Sequence, residues 1–199
     1  MKTIILLLFL ALASCSKDSP NEDDPTFTLP PETQIGANTF GVTINGKVYI
    51  PRDPTGSSWG GIQTHGITFT GLYPQPWYEI IVIDGASSVG FKMVVHFKDL
   101  FNMNNGFYPL AQSNFRDNID SIEADHIYFK IWDSAINNYA YYGSVENLGE
   151  VKVTRRDNGI LSGNFKGKFA RYGNPDDVIT LTDGRFDLNL NTINNHVFP

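Results

Sequence analysis

His126, Tyr128 and Trp132 occupy alternate positions of one stretch, opposite Ile127, Phe129 and Ile131, and Tyr139, Tyr141 and Tyr142 follow a few residues later. In an extended strand this spacing puts three rings with polar handles on one face. Such rings stack on the C–H faces of a sugar while neighbouring amides meet its hydroxyls, so His126, Tyr128 and Trp132 form a candidate ligand platform. The competing reading is a strand in the middle of the fold, buried on both faces. Asp84 and Asp133 are a second possibility. Two strand-borne carboxylates brought about 5 or 10 Å apart in a groove would have the geometry of a glycoside hydrolase.

Other chemistry is poorly represented. Asp117, Asp120, Glu123 and Asp125 form the densest acidic group, but the Asp-x-Asp-x-Asp-Gly order of a calcium loop is missing and a solvated loop is the simpler reading. His65, His96, His126 and His196 have no metal-ligand spacing and read as surface or hydrogen-bonded histidines. Gly163-Asn164-Phe165-Lys166-Gly167-Lys168 has three residues between its glycines where a phosphate loop needs four, and it lies in a strand-like alternation. There is no Gly-x-Ser-x-Gly and no His-Glu-x-x-His. The expectation is a non-enzymatic domain without metal or cofactor.

The elements that must carry these residues have a period of two. Phe40 to Ile44 and Lys47 to Ile50 alternate on either side of Asn45-Gly46, a strong hairpin signal, and Phe40, Val42 and Ile44 are expected to share a face with Val48 and Ile50. Phe91 to Lys98, His126 to Trp132, Val151 to Thr154, Phe165 to Phe169 and Ile179 to Leu190 continue the alternation, with Asp183-Gly184 as a second hairpin-like signal. Trp77 to Ile83 is apolar on both faces, as a central strand would be, and Ile62 to Tyr73 supplies another strand. Phe115 to Asp125 can form one short helical turn. The sum is an all-β domain over 39–199: an antiparallel β-sandwich or barrel-like meander of nine or ten strands with little helix.

The chain's start carries an address. Met1-Lys2-Thr3 precedes an apolar run from Ile4 to Ala13, too short for the roughly 20 residues of a spanning helix and arranged like an export signal. Leu12-Ala13-Ser14-Cys15 resembles the bacterial lipobox, which implies a signal peptide over 1–14 and lipid attachment at Cys15, the chain's only cysteine. Removing 1–14 leaves 185 of the 199 residues and moves the formal charge from −6 to −7. Attachment by two or more acyl chains holds a protein stably on a membrane. From Ser16 to Asn38 four prolines and five acids against Lys17 alone read as an extended tether completing 15–38. Acids soon after a lipidated cysteine resemble the surface-export signal of Bacteroidetes lipoproteins. With no thiol left to pair, the domain depends on its hydrophobic core. The acidic balance, with no basic cluster beyond Arg155-Arg156, excludes nucleic acid as a partner.

Thr39 to Pro51 at one end, and Ile160-Leu161-Ser162-Gly163-Asn164-Phe165 with Ile179-Thr180-Leu181-Thr182-Asp183-Gly184-Arg185-Phe186-Asp187 at the other, resemble a family of uncharacterised Bacteroidetes lipoproteins. The resemblance spans the two ends of the domain and implies location and fold style without a reaction. Asp120-Ser121-Ile122 and Asp133-Ser134-Ala135 are similar to the O-glycan acceptor pattern of exported Bacteroidetes proteins. The expected whole is a lipid-anchored outer-membrane or cell-surface β-domain, a binding or structural module. A glycan or another envelope protein would be its partner; the alternatives are a glycan-binding accessory lipoprotein and a hydrolase with paired carboxylates.

Overall fold

A computed structural model describes residues 27–55, 65–71 and 77–199. The signal peptide, Cys15 and the tether up to residue 26 lie outside the described residues. Among the described residues there are ten strands: β1 Thr39–Ile44, β2 Lys47–Tyr49, β3 Ile67–Gly71, β4 Tyr78–Ile83, β5 Lys92–Phe97, β6 Gly106–Pro109, β7 His126–Asp133, β8 Asn138–Asp157, β9 Ile160–Arg171 and β10 Asn174–Asn189. They form a single antiparallel sheet in the order β2-β1-β10-β9-β8-β7-β5-β4-β3, with β6 paired to the second half of β8. The sheet curls into a half-barrel, so the barrel-like alternative holds. Among the described residues the only helical elements are three single 3-10 turns, one of them at Asn118–Asp120 in the stretch expected to form a short turn.

The concave side is filled by side chains, as in a small barrel. Phe40, Phe97, Phe129 and Phe169 are fully buried, and Phe165 and Phe186 join them through ring contacts. Alternation supplies this core: Met93, Val95 and Phe97 from β5 point inward with Ile127 and Phe129 from β7. Asn45 and Gly46 take left-handed conformations in the hairpin between β1 and β2. That two-residue turn pairs Val42 with Tyr49, so Tyr49 shares the core face and Val48 and Ile50 do not. Asp183-Gly184 makes no hairpin. β10 runs straight through it, with Asp183 at φ 53° and the ladders to β1 and β9 shifting register there, which makes it a bulge.

The open side of the curl is bridged by a side-chain amide and by one isolated backbone bridge. Asn194, in the 3-10 turn Ile193–Asn195 after β10, accepts from the Phe69 amide at 2.8 Å and donates to the Phe69 carbonyl at 2.9 Å. One side-chain amide thereby covers the edge of β3, an edge that would otherwise invite pairing. Beyond β2, Arg52 forms a bridge to Asp84 at the end of β4.

Residues 27–38 also belong to the fold. Asp187, 1% exposed on β10, accepts five hydrogen bonds: from the Thr33 and Ser162 hydroxyls and the Ile35, Gly36 and Ala37 amides, at 2.5 to 3.2 Å. Burial raises this carboxyl, but the donors outweigh burial and hold it below the usual carboxylate range. The tether expected over 15–38 is thus fastened to the sheet across its second part. A proline-rich, acidic composition reads as extended, and extended backbone is also what can lie along a sheet.

Candidate functional site

The convex face of β4, β5 and β7 carries an uncommon row. Glu79, His96 and His126 are direct lateral neighbours in the sheet and are buried to 0, 2 and 0% exposure. Their cover is the connection from β6 to β7, residues 110–125, which crosses the sheet as a strap. The Ser113 hydroxyl lies 2.9 Å from His126 Nδ1 and the Ser121 hydroxyl 2.6 Å from Nε2, so both ring nitrogens are engaged. The Asn118 amide donates to Glu79 Oε1 at 2.8 Å. Asp117 accepts from the Tyr128 hydroxyl and the Lys92 ammonium, each at 3.0 Å. Passage of the strap requires Gly143 on β8 beneath it: a Cβ there would stand 2.8 Å from Ser113 Cβ and 2.9 Å from the Phe115 ring. Phe115 and Asn118 bend the strap with φ of 59° and 54°. For a residue as bulky as phenylalanine such a φ is held only by its surroundings, here the ring contact with Tyr172 at 5.1 Å.

The candidate platform is corrected by this cover. His126 is fully enclosed and Tyr128 is 6% exposed, so neither presents a ring to a ligand. Burial and the neighbouring His96 ring lower the His126 pKa to about 3, which keeps it neutral. Burial first, and Asp117 beside it, push the Tyr128 phenol up. Asp117 itself is raised by burial but brought below the carboxylate range by Lys92, Tyr128 and Asn118. Among the described residues no three histidine, cysteine or carboxylate side chains are arranged to hold a metal ion. Of the row, Glu79 and His96 form a carboxylate–imidazole pair, with His96 Nδ1 3.0 Å from Glu79 Oε1.

Trp132 has a different environment. It lies past the end of the strap, half-buried, packed edge-on against its cross-strand neighbour Tyr139 at 5.4 Å between ring centroids. Lys130 sits over the other ring of this pair, 4.4 Å from the Tyr139 centroid. Trp132 forms one wall of a groove of about 460 Å³ closed on the other side by β2 and the loop after β4. Tyr49, Phe91 and Phe27 supply further rings, and Ser87, Ser88 and Ser134 supply hydroxyls. The companions of Trp132 in this groove come from segments distant in the chain, which no local spacing announces.

The remaining expected sites resolve simply. Asp84 is gripped by Arg52 through two bonds of 2.7 and 2.8 Å, and Asp133 pairs at 3.2 Å with Arg171, which also bonds Asp177 at 3.1 Å. The acidic group on the strap diverges. Asp117 points to Lys92 and Tyr128, while Asp125 accepts from the Lys98 amide at 2.8 Å. Gly163 to Lys168 lies within β9. Tyr139, Tyr141 and Tyr142 belong to β8, with Tyr142 buried against the core. His65 is 3.8 Å from Asp53, and His196 packs edge-on against Phe198.

Comparison with known proteins gives no match: neither a family model, nor a curated protein, nor a solved structure aligns with this chain.

Proposed function

We propose that this chain is a lipid-anchored binding module of a bacterial envelope, fastened through Cys15, and that its ligand is a glycan held in the Trp132 groove. The observation that carries the reading is the composition of that groove: partly buried rings from Trp132 and Tyr49 beside the hydroxyls of Ser87, Ser88 and Ser134, in a volume of about 460 Å³. Sugar recognition combines an apolar ring face with a small number of placed hydrogen-bonding groups, and ligand pockets of a few hundred Å³ are the ordinary size. The supports for the anchor are the lipobox-like Leu12-Ala13-Ser14-Cys15 and the short apolar run before it.

A glycan array probed with the full chain carrying Cys15→Ser tests the ligand class. Binding to at least one glycan group is expected, weakened about tenfold or more by Trp132→Ala. An array without hits, or hits that Trp132→Ala leaves unchanged, removes the reading. The anchor is tested separately by mass spectrometry of the membrane fraction, where the mature protein is expected to start at an acylated Cys15. An unmodified cysteine, or a start elsewhere, excludes it.

A further inference from the structure

Beside the strap, one buried side chain turns an unpartnered polar atom toward open space. His96 is 2% exposed, and its Nδ1 is taken by Glu79 Oε1 at 3.0 Å. With Nδ1 engaged by Glu79, Nε2 is the ring atom left to meet a ligand. No described residue bonds to Nε2, and the His96 ring forms part of the wall of a cavity of about 190 Å³. Trp77 stacks on His96 at 5.9 Å between ring centroids and lines the same cavity, with Ile119 and Ile122 of the strap opposite. Ser121, which also lines it, has its hydroxyl 2.6 Å from His126.

We infer that this cavity binds a small uncharged ring compound carrying a hydroxyl group, which hydrogen-bonds to His96 Nε2 while the ring rests between Trp77 and the strap isoleucines. The size fits, since a cavity of about 150 Å³ accepts a benzene-sized ring. The charge argument selects a neutral ligand. Lys98 and Glu123 at the cavity wall carry opposite charges that offset each other, which favours an uncharged ring. A ring nitrogen held in place by Glu79 calls for a hydrogen-bonding group, and the Trp77 and isoleucine walls call for a ring. The site is separate from the Trp132 groove and does not depend on what that groove binds.

Phenol titrated into the full chain carrying Cys15→Ser and labelled with ¹⁵N-histidine tests the inference. A saturating shift of the His96 Nε2 resonance is expected, with the two engaged nitrogens of His126 much less affected. Toluene, which cannot hydrogen-bond, and benzoate, which is charged, are expected to bind at least tenfold more weakly. Ile122→Phe fills the cavity from the strap side without touching the Glu79–His96 pair and is expected to abolish the shift. Trp132→Ala is expected to leave it unchanged. No shift with phenol, an equal response to toluene or benzoate, or full binding by a folded Ile122→Phe variant would overturn the inference.

Discussion

Replacing Asp187 with asparagine is expected to lower the free energy of unfolding by about 3 to 5 kcal/mol at pH 7, the range for breaking a buried charged network from one side. The wild-type carboxylate accepts from three backbone amides and two hydroxyls. An amide side chain keeps one oxygen and substitutes two donors for the other, so some of the Ile35, Gly36 and Ala37 N–H groups lose their acceptor. Each buried donor left unpaired costs about 1 to 3 kcal/mol. The loss is local as well as global. Amide exchange at residues 35–37 is expected to accelerate more than exchange in β9 or β10, because Asp187 is what fastens this segment to the sheet. Urea unfolding with unchanged midpoint, or exchange at 35–37 no faster than in the wild type, would show that the N-terminal segment is held by something else.

The second large effect is in acid. His126 has its folded pKa lowered to about 3 by burial and by the adjacent His96, against 6.5 for the free side chain. Between those values the unfolded chain binds a proton that the folded chain refuses, so stability rises with pH across the window and is lost on acidification from 6.5 toward 3. Each unit of the gap is about 1.4 kcal/mol, so a loss of a few kcal/mol is expected from this residue alone by pH 4. Asp187, lowered in the folded state, adds a further loss as pH falls below the ordinary carboxylate value. Asp125 opposes both: burial raises its carboxyl, so the folded state takes its proton first. Urea midpoints from pH 7 to pH 4 measure the slope. His126→Asn is expected to be less stable at pH 7, having lost bonds to Ser113 and Ser121, and to show a much flatter dependence between pH 6.5 and 4. An unchanged slope in that variant would place the acid sensitivity elsewhere.

Much of the fold was legible because it rests on local signals. The alternation of Met93, Val95 and Phe97 and of Ile127 and Phe129 correctly assigned the core face, and Asn45-Gly46 correctly assigned the first hairpin. The convex face was harder to read. A polar residue every second position marks a wet face only if that face meets water, and His126 and Tyr128 meet Ser113, Ser121 and Asp117 of the strap instead. Those partners precede them by 5 to 13 residues, but nothing in their types announces that the connection folds back over the sheet. Asp183-Gly184 misled for a related reason. A left-handed residue serves a two-residue turn or a bulge equally well, and the choice is made by β1 and β9, which pair with β10 on both sides of it. Asp187 looked like one more outward-facing polar residue of that strand. Its partners lie some 150 residues earlier, in a segment whose composition resembled a tether. The groove around Trp132 was not legible in any one segment, because its walls depend on the curl that brings β2 against the end of β7.

The decisive contrast is between two tryptophans on the convex side. Trp77 is 8% exposed near the strap, whereas Trp132 opens into the groove. Acrylamide quenching of two variants, one keeping Trp132 alone (Trp59→Phe, Trp77→Phe) and one keeping Trp77 alone (Trp59→Phe, Trp132→Phe), compares them directly. Strong quenching of Trp132 and weak quenching of Trp77 is the expected result. Trp132 shielded as well as Trp77, or Trp77 the more exposed of the two, would contradict both the covered polar row and the open groove on which the proposed binding role stands.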